Sequence, residues 1–441
     1  MEDFDTERIL KILEGFPADE ADLAIWTEDK GLTRYAENSV HQNMQIRQSA
    51  VWARVSLEGR VGIFSANLAD EETVQATLKQ AKEIAAASPP CARGAALPSP
   101  DGRAWQARVD PEILCMPPRV RAERVREMVG NWTRRGCRGA GAFTTEYDEL
   151  HIFNSHGLHR FFAKTLASLS CIVQMADSSG FSQGASWRLA DLHTYALADQ
   201  AEATALRGTG PRAIEPGEYD VVLSAYAMAD LMELLSYMGF SALKVQEGES
   251  FLSGKIGSQI TGPNVSIWDD GADPGGLMLP FDFDGTPRQR VSLIHKGVAM
   301  GPVYDRRTGA AEQKPSTGHA LPPDQQHAGP AALHLFMESG ERSEEDLLAL
   351  LGNGLYITRF HYTNPVQPRT SLITGMTRDG LFEVAGGKVA RGLHNLRFTQ
   401  SVLDAFSRIE ALGRPVVVPL ENYGSISAPP ALIRGFRFTG A

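Results

Sequence analysis

The chain has 441 residues and a formal net charge of −10, with 43 Lys and Arg against 53 Asp and Glu, and 43% of its residues are hydrophobic. That length exceeds what one core normally serves, so at least two folded units are expected. The acidic balance, with no basic run, sets aside nucleic acid as a main partner, and the absence of any stretch of roughly 18 apolar residues sets aside a membrane span.

The opening MEDFDTERIL lacks a basic stretch followed by an apolar one, which predicts a cytoplasmic protein. A helix is predicted near residues 5–14, capped by Asp5, and then the strands DLAIWT, GLTRYAE, MQIRQSAVWARVSLE and RVGIFSA. A helix from Asp70 to about Ser88 closes this unit. After the connection SPPCARGAALPSPDG the order recurs: a helix in PPRVRAERVREMVGNWTRRG, hairpin strands in AGAFTTEYDELHIFNSHG and LHRFFAKTLASLSCIVQMAD, and a helix in RLADLHTYALADQAEATALRG. AENS at 36–39 and IFNS at 152–155 each close a strand before a long one. The first part, 1–207, is therefore predicted to be a duplicated pair of α-β-β-β-α units with antiparallel sheet. The four cysteines, Cys91, Cys115, Cys137 and Cys171, form no CxxC pair, which excludes a cysteine-rich zinc module and fits a reducing compartment.

RGTGPRAIEPGEY separates this part from residues 218–441, predicted to be mainly β with a few helices. There the strand YDVVLS and an apolar helix come first, followed by short strands broken by Gly, Pro and Asp, with one further helix predicted over Phe398–Leu412. The whole is an α+β protein. The polar, proline-rich stretch at about 309–330 is predicted to be a mobile loop or a lid, and the strand edges of the second part are candidates for holding an extended peptide.

The helix SAYAMADLMELLSYMGF carries one polar stripe, Tyr226, Asp230, Glu233 and Tyr237, in an otherwise apolar surface. Such a stripe serves a general base or metal site, or simply faces water. Period-two alternation sends His156 and His159 to opposite faces, so they do not share a metal. His319, His327 and His334 match no ligand spacing and are expected at the surface, and the acids of DDGADPGG and FDFDG are read as turn residues.

EDKGLTRYAENSVHQNMQIRQS, then HIFNSHG, then the apolar helix followed by ESFLSGKIGSQITGPNVSIWDDG, resemble in order the TldD/PmbA (TldE) family, also called modulators of DNA gyrase. The resemblance covers almost the whole chain. It implies a two-domain fold, a dimer around a central cavity and, in the TldD branch, a zinc-dependent peptidase acting on unfolded and precursor peptides. In that branch the helix carries HExxxH, two histidines for zinc and a glutamate for the attacking water, with a cysteine near the C-terminus as a further ligand. The corresponding stretch here is Met232-Glu233-Leu234-Leu235-Ser236-Tyr237, and no cysteine follows Cys171. Glutamate persists while both histidines are replaced by side chains that zinc does not favour. The resemblance thus implies a PmbA/TldE-like chain with no metal or cofactor of its own and no catalytic residue, pairing in a heterodimer with a zinc-bearing TldD-like subunit around an unfolded peptide. The alternatives are a self-sufficient homodimeric peptide-binding protein without protease activity, and a peptidase with an unrecognised site.

Overall fold

The computed structural model of the protein describes residues 5–90, 96–420 and 423–440; Cys91 and the opening four residues lie outside them. The first part runs α1 (Thr6–Glu14), β1 (Glu20–Ala36), β2 (Ser39–Leu57), β3 (Arg60–Ala66), α2 (Glu71–Ala87), α3 (Pro111–Leu114), α4 (Pro118–Arg134), β4 (Arg138–Asn154), β5 (His159–Gln174), β6 (Ser179–Ser186) and α5 (Thr194–Arg207). Its six strands form one antiparallel sheet in the order β3-β2-β1-β4-β5-β6, so the two repeated units meet at the β1–β4 pair. Asp5 and Asp70 cap α1 and α2 by accepting the amide N–H of Arg8 and Thr73. Glu37 and Asn38, both at positive φ, make the tight turn between β1 and β2.

The expected break between DLAIWT and GLTRYAE is absent, because EDKG continues β1 as one strand. Period-two alternation explains how. Odd positions of the sheet, such as Leu23, Ile25, Val51, Ala53 and Val55, pack on Val74, Leu78 and Ala81 of α2, and Phe143, Leu169, Cys171 and Val173 pack with residues of α4 and α5. Gly31 lies on that covered face over the buried Arg121, where a Cβ would stand 2.1 Å from a guanidinium nitrogen. Even positions point the other way, and there Ala24, Trp26, Trp52, Leu150, Ile152 and Phe162 pack on Leu279, Phe281 and Phe283 of the second part.

The second part contains β7 (Glu218–Leu223), α6 (Ala225–Gly239), α7 (Ala242–Gln246), β8 (Ile267–Asp269), β9 (Val291–His295), β10 (Val298–Ala299), α8 (Arg306–Ala311), β11 (His334–Met337) and α9 (Glu344–Leu351). It continues with β12 (Gly354–Gln367), β13 (Leu372–Ala385), β14 (Lys388–Gly392), β15 (Arg397–Ser401), α10 (Val402–Ser407), β16 (Ile409–Leu412), β17 (Val416–Pro419), β18 (Ser425–Ala428) and β19 (Ala431–Gly440). One sheet has the order β10-β9-β8-β11-β18-β17. In the other, β12-β7-β19-β15-β13 closes on itself because β13 also pairs with β12. Closure removes the edges of those five strands, whereas the other sheet keeps β10 and β17 at its ends, and β14 lies at the edge beside the ring. α6 lies within the largest core of the molecule.

The helix expected over Phe398–Leu412 is the short α10, capped by Ser401, between strands β15 and β16. The stretch at 309–330 is packed rather than a mobile lid: it contains the end of α8 and a 3-10 turn at Pro323–Ala328, and it buries His319 and Ala320 completely. The amide of Ala320 is held by Asp282, and Gly329 sits against Ser241 and Leu243. No helix among the described residues is long and apolar enough to cross a membrane.

Candidate functional site

Helix α6 begins where Ser224 accepts the amides of Tyr226 and Ala227. Its stripe does not act as one surface. Tyr226 donates its hydroxyl to the carbonyl of Gln183 at 2.8 Å, tying α6 to β6. Asp230 accepts the amide of Phe360 at 3.2 Å, and burial pushes its carboxyl up to about 7 against the attraction of Arg359. Glu233 is exposed. Tyr237 is 64% exposed, with the Lys244 ammonium 4.0 Å from its ring centre, whereas Met232 is completely buried in the core. The three positions expected to correspond to HExxxH therefore diverge: one thioether faces inward, one carboxylate and one phenol face outward. Neither their chemistry nor their directions fit a zinc ion, and no reaction step is assigned to them.

The even-numbered face of the first sheet, where the second part leaves it uncovered, lines a cleft of about 800 Å³. Trp26, Glu28 and Lys30 come from β1, Gln48 and Trp52 from β2, Glu146 and Asp148 from β4, Lys164 from β5, and Pro419 and Tyr423 from the second part. Register places Glu28 directly opposite Asp148, and Lys30 opposite Glu146. Like charges in that relation repel. Glu28, Glu146 and Asp148 bring carboxylate oxygens within 4.8 Å of one another. Lys30 offsets part of this charge, 2.6 Å from Glu146 and 3.6 Å from Glu28. Asp148 is 6% exposed, and its Oδ1 has no hydrogen-bond partner. Burial pushes its carboxyl up to about 7, opposed by Lys164 and reinforced by Glu146 and Glu28.

Next to the cleft, Arg54 makes a two-pronged contact with Asp22, both bonds at 2.9 Å, and reaches Asp284 at 2.7 Å. Arg306 takes the other oxygen of Asp284 at 3.0 Å. Both guanidinium groups overcome the effect of burial and hold Asp284 far below the usual carboxylate range. FDFDG forms the turn expected of it, closed by the amide of Gly285 on the carbonyl of Asp282, but the turn is buried: Phe281 and Phe283 enter the first sheet's apolar patch, and Asp282 and Asp284 are buried with them. His319 and His334 are buried too, contrary to the surface positions expected. Nε2 of His319 lies 2.8 Å from Asp269, whose second oxygen accepts the amide of His334 at 2.8 Å. His156 and His159 have separate partners, Glu20 and His151 respectively.

Sequence reading did not single out Glu28, Glu146, Asp148 or Lys164. The available signal was the pairing of EDK with TTEYDE, which becomes visible only once β1 is read as one strand opposite β4.

The architecture places the protein in a class of known fold. TldE from Thermococcus kodakarensis superposes with a TM-score of 0.87 at 19% identity, covering 98% of this chain and 99% of that one. A putative modulator of a DNA gyrase from Thermotoga maritima gives 0.85 at 19%, with the same coverage. Residues 216–440 match the PmbA/TldA metallopeptidase C-terminal domain and residues 111–209 the central domain. The chain belongs to the PmbA/TldD metallopeptidase family. A Haemophilus influenzae protein named metalloprotease TldD homolog is 25% identical over 236 residues, 50% of this chain and 49% of that one. An uncharacterized protein of Methanocaldococcus jannaschii is 40% identical over 102 residues, 23% of this chain and 24% of that one. The chain thus aligns with half or less of the length of these relatives.

Proposed function

We propose that this chain is a metal-free, PmbA/TldE-like subunit that pairs with a zinc-bearing TldD-like subunit and forms part of the chamber in which unfolded or precursor peptides are cleaved. The observation that carries the reading is the state of α6: Met232 is sealed in the core while Glu233 and Tyr237 face outward, so this helix offers zinc no converging ligands. The cleft on the first sheet, of a volume suited to a few side chains, supports a role in holding substrate. The zinc and the water it activates belong to the partner in this reading.

The test is to purify the chain alone and together with an HExxxH-bearing family member, measuring bound zinc and peptide cleavage in each. The chain alone is expected to hold far less than one zinc and to cleave nothing, with cleavage arising in the mixture. Stoichiometric zinc with cleavage by the isolated chain overturns the reading.

A further inference from the structure

Three acids and two lysines line the cleft, with Lys164 opposite Asp148 on β5 and Lys30 opposite Glu146, which leaves one carboxylate in excess. Glu28 and Asp148 face each other across β1 and β4, an arrangement that costs stability unless a cation stands between them. Lys30 engages Glu146 and Glu28; Oδ1 of Asp148, almost wholly buried, accepts no hydrogen bond. Beside the acids stand Trp26 and Tyr423, whose ring centres are 4.8 Å apart, and Trp52 lies on the same wall. Carboxylates next to aromatic rings are the surroundings that an organic cation uses, ion pairing at its head and ring contact along its stem. A bare metal ion needs far less than about 800 Å³ and gains nothing from the indoles.

We infer that this cleft is a binding subsite for an aliphatic ammonium group carried on an extended chain, with Asp148 and Glu28 accepting its N–H bonds and the touching rings of Trp26 and Tyr423 forming one wall beside its methylenes. A lysine side chain of a peptide and a free polyamine both supply that chemistry. The peptide source rests on the proposed chamber role; the ammonium site itself does not.

Calorimetric titration of the full chain tests it, with four probes: the blocked pentapeptide Gly-Gly-Lys-Gly-Gly, its norleucine counterpart, spermidine and magnesium chloride. The lysine peptide or spermidine is expected to bind, with norleucine weaker by about ten-fold or more, the value of one charge-assisted hydrogen bond. Asp148→Asn and Glu28→Gln, checked for folding by circular dichroism, are each expected to weaken the cation by a similar factor. Binding of the lysine peptide in preference to spermidine assigns the peptide source, and the reverse assigns the polyamine. Equal binding of norleucine, indifference to both substitutions, binding of magnesium only, or binding of no probe overturns the inference. Absence of zinc-dependent cleavage in the paired complex overturns the chamber role instead, so the two failures are distinguishable.

Discussion

At the scale of single residues, burial separates neighbours on one helix. Met232→His replaces a completely buried thioether by an imidazole whose nitrogens would lack partners, and is expected to cost about 2–5 kcal/mol in urea denaturation. Glu233→Gln, at an exposed position, should stay within about 0.5 kcal/mol of the parent and leave cleavage by a complex with an HExxxH partner largely intact. Asp148 makes the opposite kind of contribution. Its carboxyl is raised from 3.8 to about 7 in the folded chain, so the folded state holds the proton more tightly and this residue's contribution to stability falls as pH rises through that interval, then levels off. Glu28, Glu146, Lys30, Lys164 and Tyr423 face it and set that balance. Asp148→Asn should therefore raise the melting temperature more at about pH 8 than at about pH 5, and a uniform shift would contradict the assignment. The sequence showed which side chains α6 carries; it could not show that Asp230 turns inward to Phe360 while Glu233 faces out, because that depends on where β12 lies.

At the scale of elements, the packed stretch at 309–330 and the strand β2 are joined through buried charge. Arg54 on β2 reaches Asp22, Asp284 and, at 2.6 Å, Gln326. Arg54→Leu leaves Asp22 and Asp284 buried without that guanidinium and is expected to cost about 3–5 kcal/mol in urea denaturation. With His319 fixed to Asp269 and Ala320 to Asp282, residues 309–330 should resist a nonspecific protease under native conditions. Early cleavage there, seen by mass spectrometry, would contradict this packing. The alternation of β1 and β2, the helix caps and the repeated order of the first part were legible because each is local. Charge at EDKG concealed the continuity of β1, since an acid and a lysine facing a cleft have the same letters as a turn.

At the scale of the whole molecule, the two parts meet where Phe281 and Phe283 cover one part of a sheet face whose neighbouring part forms the cleft, and again where Tyr226 of α6 bonds to Gln183 of β6. Association with a zinc-bearing partner is expected to leave the metal content at one ion per pair, all of it lost when the partner's histidines are replaced and unchanged by Met232→Ala here. Elemental analysis of the purified pair decides this.

The sequence by itself determined the α+β class, the duplicated first part and the lack of imidazole along α6, because strand period, capping residues and ligand chemistry are written in adjacent letters. Only the tertiary structure decided that the acids of FDFDG and the histidines His319 and His334 are buried, that β12 and β13 close a ring, and that Glu28 meets Asp148. These depend on pairings between segments far apart in the chain, and the energy of a buried charge is fixed by what another segment brings to it.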